Sequence, residues 1–357
     1  MDADSKSKAF GSSEVYYSSK HPSTHFASTA RVERLKSLLD EIDPGFKAKI
    51  HSAAKEWSRT VRERLGSETG LRMTSAGEKQ LVKVTVIDGL PTPVDELIAQ
   101  FPDPITWKLI LHQKDFEAGG RSVVLMQREL AGIVNLLQLE PTEERNKALK
   151  LTETLLERII HKLGEIPLLK QLYAIEMDIL GAYHFNAPSV TLHWMVIALV
   201  SANLGISVEA LTVVTLTHEL AHAFTHVGLD IDGVRWPTTG FAKSNISVLE
   251  GLAQYYTEAT LRNYAASFPE GLAAFETLRK KQPPPYNEYK NWCAKDAPNG
   301  EVIRACLLES RQKSEVGLAD FQGLVTSNRA RIRAREKKQE QSLFPDKLHD
   351  DTSSLTP

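Results

Sequence analysis

Residues 213–224 read VVTLTHELAHAF and lie within a longer stretch that has the features of one helix. Ser207 is a suitable N-cap, so the predicted helix runs from there to about Val227. His218 and His222 fall on roughly the opposite side from its apolar face, so we expect another part of the protein to cover them. The residues of that apolar face are Val213, Leu216, Leu220, Ala223, Phe224 and Val227.

Two histidines and a glutamate in this helix form an HExxH pattern. His218 and His222 are four residues apart, so their imidazoles project from the same face and can bind one metal ion. Glu219 lies about 100° around the helix, where it can reach a water rather than the metal itself. The pattern therefore predicts two zinc ligands and one general base. The competing interpretation is a pair of solvent-facing histidines with an exposed glutamate.

Segment 213–224 resembles the active-site helix of zincin metallopeptidases, and residues 248–255, VLEGLAQY, resemble the second ligand helix of the gluzincin branch. The resemblance covers about residues 180–265 and identifies no specific peptidase family. It implies a zincin-like catalytic core, Zn²⁺ as the cofactor and peptide-bond hydrolysis. It also implies that Glu250 is the third zinc ligand, with His218 and His222 as the other two and Glu219 as the catalytic base.

The third ligand has alternatives within the same region. Glu250 also fits a capping box with Ser247, in which its carboxylate would only bond the backbone at the start of a helix. His226 continues the spacing of the HExxH histidines but lies two turns from His218. Glu258 lies two turns after Glu250, where we expect it to orient a ligand histidine. The metzincin pattern HExxHxxGxxH is excluded, since Thr225 and Gly228 stand where it requires Gly and His.

Further residues are candidates for supporting roles. Some gluzincins place an acidic residue four positions after the ligand glutamate to orient a histidine, and here that position is Gln254. Asp230 is a candidate to orient a histidine or contact the substrate amine, although an Asp-Gly turn also explains it. Tyr286, Tyr289 and His226 are candidates for stabilising an oxyanion, with ordinary packing as the alternative. By analogy with zincins, the strand near residues 190–192 is expected beside the cleft, where a peptide substrate would pair with it.

The rest of the chain predicts a mostly helical α+β protein. Amphipathic helices are expected over residues 32–42, over 46–65 with Gly66 as the stop, and from Pro141 to Gly164. Strands are expected at 81–87 (LVKVTVI), at 105–111 (ITWKLIL) and on both sides of 186–188. Helices are also expected over 193–204, from about 245–247 to Tyr264, and after the proline run 283–285 to about residue 335.

These elements suggest four parts of the chain. Residues 1–28 are polar and without periodicity, which predicts a disordered arm. Residues 29–170 are predicted to form a helical N-terminal region and residues 171–325 the zincin-like catalytic domain. Residues 326–357 are predicted to be a charged helix end and a disordered tail.

Composition limits the possible partners. The net charge of −2 gives no reason to expect nucleic acid, and the basic run 329–338 reads as a solvated helix end. Residues 191–208 (TLHWMVIALVSANLGISV) have the length of a membrane span, but His193 and Asn203 favour a buried unit instead. The N-terminus lacks the apolar segment of a secretory signal, so a cytoplasmic location is expected. The two cysteines, Cys293 and Cys306, form no CxxC pair, which argues against a thiolate metal site.

Three functions compete on this evidence. The first is a zinc metallopeptidase acting on a peptide or protein substrate, and a non-peptide amide is a further possible substrate. The second is a catalytically inactive zinc-binding protein with an interaction or regulatory role. The third is a metal-free helical scaffold in which the pattern is accidental. A glutamate next to a metal-binding histidine favours the first, because a purely structural site needs no base. The sequence gives no indication of the oligomeric state.

Overall fold

The computed structural model describes residues 29–73, 82–100, 143–164, 171–172, 179–295 and 299–343, with short pieces between 107 and 129. Residues 1–28 and 344–357, where an arm and a tail are predicted, lie outside the described residues. The described residues are mostly helical and include one small sheet. The helices are α1 Thr29–Ile42, α2 Phe46–Thr69, α3 Thr92–Gln100, α4 Glu143–Gly164, α5 Trp194–Leu204, α6 Val208–Val227, α7 Thr238–Lys243, α8 Ile246–Tyr264, α9 Pro269–Arg279, α10 Tyr289–Trp292, α11 Asn299–Ser310 and α12 Leu318–Leu343, with a 3₁₀ helix at Pro284–Asn287.

The sheet has three strands in the described part of the chain: β1 Lys83–Ile87, β2 Gly181–His184 and β3 Ser189–His193. Their order is β1-β3-β2, with β3 parallel to β1 and antiparallel to β2. Because β3 is paired on both sides, it offers no edge to a substrate, so the pairing of a substrate expected at residues 190–192 is wrong. The strand that lies at the edge and contacts α6 is β2.

Helix α6, which carries the HExxH pattern, occupies the centre of the fold. It contacts α2, α5, α8, α9 and strand β2, and every residue from Ala210 to Val227 is buried. Threonines on α6 satisfy their own hydroxyls within the helix: the hydroxyl of Thr212 donates to the Val208 carbonyl at 2.7 Å. The hydroxyls of Thr215 and Thr217 likewise donate to the carbonyls four residues earlier in the helix. These buried hydroxyls are therefore all hydrogen-bonded. The helix is therefore covered on all sides, including the side of His218 and His222, as expected from the sequence.

The N-terminal segments share this core. Strand β1 pairs with β3, and α2 packs along α6, so the hydrophobic cluster runs from Leu35 to Ile332. For these segments, the predicted boundary at residue 170 does not separate two cores. Strand β3 and the back of helix α6 are thus held in place by β1 and α2, which lie more than 100 residues earlier in the chain.

Two local predictions are corrected. Helix α2 passes through Gly66 and ends at Thr69, because Gly70 adopts φ 67° and its N–H bonds the Gly66 carbonyl. Within the predicted strand 105–111, residues 107–108 and 111 are helical, and the others lie outside the described residues. The remaining helices and strands predicted within the described residues are present, and α12 continues to Leu343.

Segment 191–208 is divided between the end of β3, helix α5 and the start of α6, with a turn at Gly205. Helix α5 spans 11 residues and is buried along nearly all its length. Among the described residues, no helix combines the length and apolar character needed to span a membrane.

Helix α8 depends on a glycine at position 251. A Cβ atom there would lie 2.3 Å from Cη2 of Trp292, whose ring is fully buried. Gly251→Ala is therefore expected to lower the free energy of unfolding by about 1–3 kcal/mol, because the indole has no space to move. Gly323→Ala in α12 is the matched control: it meets nothing within 4 Å and is expected to stabilise by about 0.5–1 kcal/mol. Chemical denaturation of both variants checks this, and equal effects would contradict the proposed packing.

Candidate metal centre

Two helices bring the predicted ligands together. His218 and His222 lie one turn apart on α6, and Glu250 lies in the second turn of α8. Helix α8 is capped by Asn245, whose side-chain oxygen accepts from the Ser247 N–H at 2.9 Å. The capping-box alternative for Glu250 is therefore wrong, since Asn245 performs that role and the Glu250 carboxylate lies against the histidines.

Three side-chain atoms define the site. His218 Nε2 lies 3.2 Å from His222 Nε2 and 3.2 Å from Glu250 Oε2, and His222 Nε2 lies 3.4 Å from Glu250 Oε2. A tetrahedral zinc ion about 2.0–2.1 Å from each ligand would place such atoms about 3.3–3.4 Å apart. The triangle thus has the size of a three-residue zinc site with one open position, and its two imidazoles and one carboxylate are a known catalytic ligand set. All three residues are buried, so the group could hold a metal ion within the core.

The charge of Glu250 follows from its surroundings. Burial raises the pKa of its carboxyl, but the charge of His222 and the hydrogen bonds from both imidazoles outweigh this and lower the pKa below its ordinary value. The carboxylate is thus held ionised between two imidazole nitrogens. An ionised carboxylate and imidazole nitrogens are the forms that bind a divalent cation.

Glu219 lies where the edge strand meets α6. Its side chain is 1% exposed, and Gly181 at the start of β2 lies directly against it. A Cβ atom at residue 181 would lie 2.9 Å from Glu219 Cγ and 2.9 Å from the Thr215 methyl carbon. Only glycine therefore fits at position 181 while Glu219 keeps this position.

A cavity opens beside the triangle. His218 and Glu219 form part of its wall, and so does Tyr286, whose ring stacks on His218 with centroids 5.8 Å apart. Most of the wall is apolar. It includes Ile179, Leu180, Val200, Val214, Phe275 and Leu278.

The two candidate tyrosines have different positions. Tyr286 is buried at the cavity, whereas the hydroxyl of Tyr289 donates to the Glu258 carboxylate. Glu258 also accepts from Lys290 at 2.6 Å and from Arg262, so its two oxygens serve this ionic cluster. Glu258 consequently neither joins the triangle nor orients a ligand histidine.

Gln254 lines the cavity instead of supporting a histidine. Its Nε2 donates to Gln282 Oε1 at 2.8 Å, and its own Oε1 has no hydrogen-bond partner in the described part of the chain. A carbonyl oxygen that orients an imidazole would accept that ring's N–H, and this one does not. The orienting role expected for Gln254 is therefore wrong.

His226 and Asp230 serve other contacts. The ring nitrogens of His226 lie 2.9 Å from the Tyr183 hydroxyl and 3.1 Å from the Thr238 hydroxyl, so His226 links α6 to β2 and α7 and stays out of the triangle. Asp230 Oδ1 accepts from the backbone N–H groups of residues 232 and 234. These contacts agree with the interpretation of Asp230 as a turn residue.

Two residues of the site were missed in the sequence. Gly181 carried a usable signal, because a glycine within a strand pattern indicates close approach of another group. Gln282 precedes three prolines, and nothing in its local sequence points to a partner 28 residues earlier. No protein-family model, curated protein or solved structure matches this chain.

The buried His226 predicts a pH-dependent stability. Burial, reinforced by the charges of Arg311 and Arg235, lowers the pKa of His226 to about 4. The unfolded chain therefore takes up a proton at about pH 6.5 that the folded chain refuses until about pH 4, so stability falls as the pH falls through this window. From pH 7.5 to pH 5, this one group is expected to remove about 2 kcal/mol of stability.

The measurement compares the unfolding free energy of the wild-type protein with that of His226→Gln at both pH values, with a chelator present throughout. With no metal bound, His218, His222 and Glu250 are expected to make the same pH-dependent contribution to the stability of both proteins. The wild type should lose about 2 kcal/mol more than His226→Gln on acidification. His51→Gln, at an exposed position of α2, is the control and should retain the wild-type slope. Identical slopes for all three proteins would contradict the assignment.

Proposed function

We propose that this chain is a zinc-dependent hydrolase that cleaves peptide bonds, with His218, His222 and Glu250 as the zinc ligands. The observation that carries the proposal is the triangle of two Nε2 atoms and one Oε2 atom with edges of 3.2, 3.2 and 3.4 Å. Next to it lies a fourth ionisable group, Glu219, at the wall of a cavity. A metal site with an adjacent carboxylate and an adjoining cavity has the parts required for hydrolysis.

When bound, zinc would polarise the substrate carbonyl and lower the pKa of a water molecule at the open position. Glu219 accepts a proton from the attacking water as its oxygen adds to the carbonyl carbon. The carbon–nitrogen bond then breaks as Glu219 returns that proton to the leaving nitrogen. The products are a carboxylic acid and an amine, and Glu219 ends in its starting form.

Negative charge on the former carbonyl oxygen needs a donor besides the metal. Tyr286 is the better candidate for this role, because it stacks on His218 while Tyr289 is engaged by Glu258. The substrate backbone can pair with the outer edge of β2, since this strand lies against Glu219 and has one partner strand among the described residues. Such pairing favours an extended peptide over a compact small amide.

Metal content and catalysis are separable by two variants. Purified protein is expected to contain one equivalent of zinc, and Glu219→Gln should retain it while losing at least 100-fold in kcat, because the amide cannot accept the proton. His218→Ala should lose both zinc and activity. Elemental analysis and cleavage of a peptide library measure the two properties.

Glu209→Gln, at the start of the same helix, is the matched control and should retain zinc and activity. Stoichiometric zinc without turnover in the wild-type protein would contradict hydrolysis and support a structural zinc site. Absence of zinc, with the stability of His218→Ala unaltered, would contradict metal binding.

The contact between β2 and Glu219 gives a further prediction. Gly181→Ala places a methyl group 2.9 Å from Glu219 Cγ, so the carboxylate must move. We expect kcat to fall about 10- to 100-fold with zinc content unchanged, because the base is displaced by a fraction of an ångström to one ångström. Gly300→Ala is the control, since its Cβ meets one atom at 3.9 Å. Equal activities of the two variants would contradict the placement of Glu219.

A further inference from the structure

Two amide side chains lie together in the largely apolar wall of the cavity beside the triangle. Gln254 on α8 and Gln282 after α9 both line it, and the Gln254 amide donates to the Gln282 carbonyl at 2.8 Å. Gln254 is 2% exposed, and its remaining acceptor, Oε1, is buried without a hydrogen-bond partner in the described residues. A buried carbonyl oxygen without a donor costs about 1–3 kcal/mol, so it marks a place where a bound molecule can supply one.

The position of Gln254 relates this acceptor to the reacting groups. It follows Glu250 by four residues on the same face of α8, which places it about 6 Å along the helix axis from the ligand position. Phe275 and Leu278 of α9 line the same cavity. A side chain entering from the metal centre would therefore pass apolar walls and end near an uncharged acceptor.

We propose, on the basis of the proposed hydrolase function, that this cavity selects a tyrosine or tryptophan side chain next to the cleaved bond, with Gln254 Oε1 accepting from its O–H or N–H. These two residue types combine a large apolar ring with one donor at the far side. Gln254 is thus a specificity-determining residue, and Gln282 positions it by holding its amide nitrogen.

Other side chains match the cavity less well. Phenylalanine and leucine fill the apolar wall but leave Gln254 Oε1 without a donor. A lysine ammonium needs three acceptors and strong solvation, which one amide oxygen among aliphatic side chains does not provide. An aspartate or glutamate side chain would approach the carboxylates of Glu219 and Glu250 and be repelled.

The test uses zinc-loaded protein and two series of quenched fluorescent peptides. The residue on one side of the cleaved bond is Tyr, Trp, Phe, Leu or Lys, and all other positions are alanine or glycine. The Tyr and Trp peptides are expected to have kcat/KM values about ten-fold above that of Phe in one series. In Gln254→Met, which has a similar volume but no amide, the Tyr-to-Phe ratio should fall to about one. Gln312→Met, at an exposed site, should retain the wild-type ratio.

A binding measurement separates this proposal from hydrolysis itself. N-acetyl-tyrosinamide and N-acetyl-phenylalaninamide are titrated by NMR into zinc-loaded Glu219→Gln and into Glu219→Gln combined with Gln254→Met. Tighter binding of the tyrosine amide, lost in the double variant, supports the cavity assignment even if no peptide is cleaved. Equal affinities, a ratio that Gln254→Met leaves unchanged, or no binding of either amide would overturn it.

Discussion

The burial of a carboxylate between two imidazoles is the constraint on which the rest of the structure depends. Glu250 is buried, and a buried charge is tolerated only beside groups that compensate it. His218 and His222 provide that compensation from the next helix, at 3.2 and 3.4 Å. The relative placement of α6 and α8 therefore affects stability, because the attraction between the carboxylate and the imidazoles weakens as they move apart.

Packing around α8 helps to fix this placement. Asn245 fixes the first turn of the helix, and Gly251, next to Glu250, allows the Trp292 ring to lie against its backbone. On the other side, α6 is enclosed by helices and by β2, and its threonine hydroxyls bond within the helix. The surroundings of His218, His222 and Glu250 thus contain close contacts and satisfied hydroxyls, which restrict the movement of either helix.

The sequence predicted the parts of this site that depend on local spacing. The positions of His218, Glu219 and His222 follow from one helical turn, and the choice of Glu250 came from a resemblance of eight residues. The supporting residues were harder to predict, because their contacts join distant segments. Gln254 was expected to bond a histidine, yet its partner is Gln282 of a different element. Similarly, β1 joins the sheet from 106 residues upstream of its partner strand, a pairing that no local pattern contains.

The ionisable and the neutral polar side chains occupy different parts of the site. His218 and Glu219 lie at the wall of the cavity, with Glu250 against His218, whereas Gln254 and Gln282 contribute two neutral amides to the same wall. A buried charge at Gln254 would add a second anion close to Glu250, and the two histidines cannot compensate both in addition to Glu219. An amide at this position retains an acceptor while leaving the electrostatics of the triangle unchanged. An uncharged acceptor at position 254 can therefore receive a hydrogen bond without competing for a cation that the triangle could hold.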